Sequence, residues 1–261
     1  MIPLKDNIPN DRFPLVTIAL IVINVIAYLI SIRNGGSFFG GPSSTTVFHD
    51  AAIPYDLTHP GSYCTGAPAV DAFGNQVTEV VCKHGAFPGQ IPTWQTAFTA
   101  MFLHGGFLHI AGNMIFLWIF GPNVEEAMGR VRYVVFYLVG GLVALAAQVL
   151  VGPNSTAPTL GASGAIAAVL GGYIVLYPRA RILSLIFIFF FVTIIEVPAL
   201  VILGFWFVEQ AIFGAAGLAN PAGGGGGVAY FAHVGGFVFG LAVIRLLAVH
   251  RQPEPPRYPV Y

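Results

Sequence analysis

Apolar residues fall into six long runs, separated by segments rich in Gly, Pro or charge. The first, 15–32, approaches the roughly 20 residues a helix needs to cross a bilayer core, and Asn24 is its strongly polar side chain. The second, 96–120, ends in the polar stretch Gly121-Pro122-Asn123-Val124-Glu125-Glu126, which reads as a loop. The third, 133–151, follows Arg132 and ends at the turn Gly152-Pro153-Asn154-Ser155-Thr156. The fourth, 160–176, is stopped by Pro178-Arg179-Ala180-Arg181. The fifth, 182–210, carries Pro198, where a kink is expected because proline removes a helical hydrogen bond. A flexible glycine-rich loop is predicted over 215–227, then a sixth run over 228–248. The pattern predicts an all-α, polytopic bundle of six transmembrane helices.

Four regions follow: a cytoplasmic N-terminus (1–14), a six-helix membrane domain (15–250), a long loop inside it (33–92), and a disordered proline-rich tail (251–261). Within the loop, 69–82 reads as a β-hairpin with Gly74-Asn75 as its turn. No cleavable signal peptide is expected, since the opening is short and polar and no small-residue cleavage site follows the first apolar run.

Composition supports this assignment. Hydrophobic residues make up 56% and charged residues 8% of the chain, and mean hydropathy is +0.78. A soluble domain carries about 25% charged residues, so this chain belongs in a lipid bilayer. Its zero formal net charge provides no basic surface for nucleic acid. Lys5, Arg12, Arg130, Arg132, Arg179, Arg181, Arg245, Arg251 and Arg257 fall on one side of the predicted membrane, Arg33 and Lys83 on the other. Because Lys and Arg favour the cytoplasm, both termini are expected inside and the long loop outside.

That orientation brings polar residues from three spans to one depth, near the outer surface. The second span carries His104, His109 and Asn113, with the last two on one helix face at i, i+4. The fourth carries Ser163 in Gly161-Ala162-Ser163-Gly164-Ala165, and the sixth carries His233. Intramembrane ionisable groups are costly and usually functional or paired. A serine hydroxyl needs an adjacent base to act as a nucleophile, and His233 fits that role. Contact requires the fourth and sixth spans to meet closely. Ala167 and Gly171 on one, with Gly236 and Gly240 on the other, provide small-residue stripes for this. His109 and Asn113 are then placed to donate hydrogen bonds to an anionic tetrahedral intermediate.

Three segments carry a family resemblance: His104-Gly105-Gly106-Phe107-Leu108-His109-Ile110-Ala111-Gly112-Asn113, Gly161-Ala162-Ser163-Gly164 and Ala232-His233-Val234-Gly235-Gly236. Together they resemble the rhomboid intramembrane serine proteases, over essentially the whole chain and in the six-helix form. The opening Ile2-Pro3-Leu4-Lys5-Asp6 and Gly204-Phe205-Trp206-Phe207 also resemble bacterial members. The resemblance implies hydrolysis of peptide bonds in or near transmembrane segments of membrane-protein substrates, by a Ser163/His233 dyad without cofactor or metal. It also implies a substrate gate around the fifth span, and residence in a bacterial inner membrane. One position departs: some members carry an aromatic ring one turn after the serine, stacked on the histidine, where this chain has Ala167. A substitute ring is sought in Phe231, Phe237 or elsewhere.

Other readings stand beside these. A non-catalytic rhomboid-like binder of membrane proteins is the rival function, although it would normally lack the nucleophile or the base. A transporter would more often show internal repeats, and none is evident. His104 is either structural or catalytic, and His109 with Asn113 is alternatively interhelical glue. Glu125 and Glu126 are expected to balance Arg130 and Arg132 at the inner surface. Glu209 is expected near solvent, and Glu196 lies deeper. Trp118 and Trp206 read as interface anchors or packing. Cys64 and Cys82 flank the outer hairpin and are expected to form a disulfide. The alternative, a metal site with His59 or His84, lacks Cys-x-x-Cys spacing and the four ligands of structural zinc.

Overall fold

The structure is a computed structural model describing residues 2–70, 76–188, 191–219 and 228–250. In chain order it comprises β1 (Ile2–Asp6), α1 (Leu15–Ser31), α2 (Ser44–Asp50), α3 (Pro54–Thr58), β2 (Ser62–Val70), β3 (Gln76–His84), α4 (Thr93–Thr99), α5 (Phe107–Met128), α6 (Arg130–Val151), α7 (Ser163–Leu176), β4 (Arg181–Ile188), β5 (Phe191–Pro198), α8 (Ala199–Ala219) and α9 (Tyr230–Leu247). The fold is mostly helical rather than all-α. Among the described residues, four helices are long and apolar enough to cross a membrane: Phe107–Met128, Arg130–Val151, Ala199–Leu218 and Tyr230–Leu247. The apolar helices α1 and α7 are shorter. Large apolar side chains such as Leu108, Val131, Leu150 and Leu246 point outward, as a lipid-facing surface requires.

α7 is the axis. All its residues except Ser163 and Val175 are buried, and it packs against α9, α6, α5 and α8. Its contact with α9 is made backbone to backbone. A methyl group on Gly236 would overlap the Gly164 carbonyl, one on Gly240 the Ala168 carbonyl, and one on Gly171 the Phe237 carbonyl. Small residues are what permit such an approach inside a membrane.

Several sequence expectations are corrected here. The fifth apolar run is not one kinked span. Residues 181–198 form the β4–β5 hairpin, and the helix begins only at Ala199. β-Branched residues crowd this stretch (Ile182, Ile186, Val192, Thr193, Ile194, Ile195, Val197), and they favour a pleated strand. Pro198 ends the ladder, since it has no N–H to donate. Glu196 sits in the hairpin, 3.4 Å from Arg181 across the strands. β1 adds to the same sheet, antiparallel to β4, giving the order β1-β4-β5.

The second run is broken as well. It forms α4, an irregular stretch over 100–106, and then α5. α5 continues through Gly121-Pro122-Asn123-Val124-Glu125-Glu126 to Met128, because the fold supplies partners for Asn123 Nδ2 and for both glutamate carboxylates. Asn123 donates to Asp6. Glu125 accepts from the Val16 and Thr17 backbone N–H groups and the Thr17 hydroxyl, and so caps the N-terminus of α1. Glu126 accepts from the Asp11 N–H. The two glutamates therefore brace the N-terminal segment.

The predicted loop over 215–227 is helical up to Ala219, with 220–227 outside the described residues. The tail 251–261 and the turn Gly74-Asn75 also lie outside them. The hairpin itself, β2–β3, is longer than expected, and Cys64 faces Cys82 directly in its ladder and is disulfide-bonded to it. This segment is a folded cap. Ala52 and Thr159 exchange two backbone hydrogen bonds, Tyr55 N donates to Ser155 O, and Thr58 Oγ1 donates to Pro153 O.

Candidate active site

Ser163 is the first residue of α7. The turn before it is held in place by Gly161, whose N–H donates to the Ala100 carbonyl freed by the break after α4. Gly161 has φ +117°, a region that L side chains rarely adopt, and a Cβ there would stand 2.8 Å from His109 Nε2. The glycine thus lets the chain turn into α7 directly beneath the His109 ring. The backbone N–H groups in the first turn of a helix lack intrahelical partners, so this end of α7 presents donors beside the hydroxyl.

His233 lies in the first turn of α9. The close α7–α9 crossing at Gly164 and Gly236 brings its Nε2 to 2.7 Å from Ser163 Oγ. Its Nδ1 lies 2.6 Å from Gln210 Oε1 on α8. An amide oxygen can only accept, so this contact favours the Nδ1–H tautomer, in which Nε2 accepts from the serine. The Trp206 ring covers the imidazole at 5.6 Å between centroids, tilted 36°. Phe237 stacks on Phe207 instead, at 4.7 Å, and Phe231 approaches Gly214. The ring missing at Ala167 is therefore replaced from α8. Ala167 is fully buried and packs against Gly236, which leaves no room for an aromatic side chain there.

Asn113 is buried on α5, and its Nδ2 has no hydrogen-bond partner among the described residues. His109 Nδ1 accepts from the Gly105 N–H at 3.4 Å, which leaves the proton of the neutral ring on Nε2, the atom facing Gly161. His104 is fully buried in the irregular stretch before α5. Its Nδ1 is 3.2 Å from Phe102 O, its Nε2 is unpaired among the described residues, and its ring is edge-on to His109 at 5.2 Å. The cluster thus unites Ser163, His233, His109 and the glycines at 161, 164 and 236, with Asn113 one turn along α5 from His109. A base-linked hydroxyl beside unpaired donors can carry out acyl transfer. Cys64 and Cys82 lie apart, in the cap, with both sulfurs in the disulfide.

Two polar residues escaped the sequence reading. Gln210 stands i+4 from Trp206 in an apolar run, and that spacing on one helix face was the available signal. Gln148 on α6 accepts from the Ala232 N–H at 3.3 Å, tying down the first turn of α9.

Residues 92–250 match the sequence model of the Rhomboid domain. The chain belongs to the rhomboid family. Relatives of this rhomboid include Rhomboid protein 1, mitochondrial, of Saccharomyces cerevisiae, which is 33% identical over 54% of this chain and 38% of its own length. The Rhomboid protease GluP of Bacillus subtilis is 31% identical over 58% of this chain and 29% of its own. Rhomboid-like protein 11, chloroplastic, of Arabidopsis thaliana is 40% identical over 29% of this chain and 26% of its own. The rhomboid described here therefore spans well under half the length of these curated relatives.

Proposed function

We propose that this rhomboid is an intramembrane serine endopeptidase that cleaves membrane proteins in or near their transmembrane segments. The observation that carries this reading is the 2.7 Å contact between His233 Nε2 and Ser163 Oγ, with Gln210 Oε1 2.6 Å from Nδ1 on the far side of the ring. In this mechanism His233 takes the hydroxyl proton as Ser163 attacks the scissile carbonyl. Negative charge develops on the carbonyl oxygen, where the Ser163 N–H, Asn113 Nδ2 and His109 Nε2 donate hydrogen bonds. His233 then protonates the departing amine, and water hydrolyses the acyl-enzyme by the same route in reverse. Every group in this sequence comes from the chain.

The reading also places six helices across the bilayer, with α1 and α7 the short ones. It puts both termini in the cytoplasm, the dyad toward the extracytoplasmic face and the protein in a bacterial inner membrane. α7, at 14 residues, is about 21 Å long, against a hydrocarbon core of about 30 Å. A helix that short lets its serine end sit below the membrane surface, in reach of water.

The test is covalent labelling with a serine-directed fluorophosphonate in detergent and in liposomes. Wild type should be labelled and should cleave a reconstituted single-span substrate. Ser163→Ala should do neither, and His233→Ala should lose about as much, since either member of such a unit alone is worth roughly 10⁶ in turnover in a soluble serine protease. Absence of labelling and cleavage in the wild type, with retention of a bound client, would assign the fold to membrane-protein binding instead.

A further inference from the structure

The position of α8 relative to His233 carries a further assignment. α8 supplies two of the contacts that fix the imidazole: the Gln210 amide on Nδ1 and the Trp206 ring on its face. These side chains lie four residues apart, one helical turn, and so project from the same side of the helix. α7 contributes the Ser163 hydroxyl on Nε2. The titratable group that acts on it from α5 is His109, and α6 brings the neutral Gln148 to the backbone at Ala232. Among the described residues, no carboxylate makes a hydrogen bond or ion pair with His233. Gln210 is itself buried, so its oxygen is held in a setting where an unmade hydrogen bond is costly.

We propose that Gln210 is the third member of the dyad's arrangement, a positioning residue that holds His233 in the Nδ1–H tautomer with Nε2 aimed at Ser163. The proposal rests on reading Ser163 and His233 as nucleophile and base. A neutral amide suits this task inside a membrane. It orients the ring and accepts from the imidazolium formed during attack, without a buried carboxylate that would be costly to desolvate. A soluble triad uses an aspartate for the same orientation, and replacing that carboxylate by an amide there leaves the wrong tautomer. In this chain the amide oxygen is the group the ring needs, because it can only accept.

The arrangement has a mechanical consequence. α8 touches α9 along an aromatic seam of Trp206, Phe207 and Phe237. Any displacement of α8 from α9 removes the amide and the indole from the imidazole together. The competence of the base is thereby coupled to the seating of α8.

The experiment combines kinetics and spectroscopy on the full chain. Gln210→Met keeps the length and removes the acceptor. It should lower kcat about tenfold to a hundredfold, a fraction of the ~10²–10⁴ supplied by a whole general base, with KM and melting temperature unchanged. Gln210→Glu restores an acceptor oxygen and should recover much of that loss. Nitrogen-15 NMR of labelled histidine, with His233→Asn assigning the resonance, should give Nδ1–H in wild type and a shift toward Nε2–H in Gln210→Met. Wild type in the Nε2–H form, or Gln210→Met with unchanged tautomer and kcat, overturns the proposal. A lowered melt with unaltered kcat in the folded fraction also overturns it, by making Gln210 a packing residue. The tautomer is read without substrate, so an Nδ1–H signal in a chain without peptidase activity would sink the protease reading and leave the positioning role standing.

Discussion

A buried donor without a partner costs a fold about 1–3 kcal/mol, and Asn113 Nδ2 is such a donor among the described residues. Interhelical glue would have spent that amide on a neighbouring helix. An amide waiting for a charge that appears only during reaction would remain unpaired, as it does here. The two roles predict different losses. In the oxyanion role, Asn113→Ala should lower kcat by about tenfold to a hundredfold. That is below the ~10²–10³ typical for one donor, because His109 Nε2 and the Ser163 N–H share the load. KM and the melting temperature should hold, since the bond strengthens only as the oxyanion forms. In the glue role the melting temperature falls and the folded fraction turns over normally. Steady-state cleavage and a thermal melt on the same detergent-purified variant decide between them.

At the scale of elements, Asp6 connects β1 to two helices. Its Oδ2 accepts from Asn123 Nδ2 on α5 and from the Tyr173 hydroxyl on α7, each at 2.6 Å. Burial pushes its carboxyl up to about 6, while the Tyr173 and Asn123 hydrogen bonds pull the other way. A carboxyl whose folded pKa exceeds its unfolded value favours the folded state most below the unfolded pKa, about 3.8. That contribution is lost as pH rises through about 6. The difference amounts to about 3 kcal/mol at 1.36 kcal/mol per unit. Wild type should therefore melt at a lower temperature at pH 7.5 than at pH 5. Asp56, also raised to about 6 by burial, contributes in the same sense, so the measurement is the difference between wild type and Asp6→Asn. That difference should grow with pH in favour of the variant across the window from 4 to 7. A constant difference would mean Asp6 does not titrate there. The same region marks where sequence stopped being informative. Apolarity announced helices over 15–32, 133–151 and 228–248, and the structure has them at 15–31, 130–151 and 230–247, because apolar helices of this kind need little else. It failed over 182–198, where a hairpin and a helix share one apolar run and hydropathy is blind to period. It did not reveal the contacts of Glu125 and Glu126 with backbone groups more than 100 residues away. At the site, Ser163, His233, His109 and Asn113 were legible because polar residues stand out against an apolar background. Gln210 and Trp206 were not, because their meaning depends on α8 docking against α9.

At the scale of the molecule, the protein divides into a helical body and a cap. The family match begins at residue 92, so α2, α3 and the β2–β3 hairpin lie outside it. The cap is braced internally by the Cys64–Cys82 disulfide and by Asp56, whose carboxylate accepts from the Cys64 N–H at 3.0 and 3.2 Å. It meets the site at one remove: Ala52 pairs with Thr159, two residues before Gly161. The turn at Gly161 has its own anchor, the Ala100 carbonyl at 2.8 Å, and the dyad is assembled by the α7–α9 crossing. The two parts should therefore fail separately. A disulfide closing a loop of this size contributes about 2–4 kcal/mol. Double replacement of Cys64 and Cys82 by serine should thus speed amide exchange in β2 and β3 by about thirtyfold to several hundredfold, at 1.4 kcal/mol per tenfold. Exchange in α7 and α9, and the fluorophosphonate labelling rate of Ser163, should stay unchanged within error. If labelling instead collapses together with protection of the hairpin, the Ala52–Thr159 pairing is what holds the turn before Ser163. The cap would then be part of the catalytic structure rather than a separate unit above it.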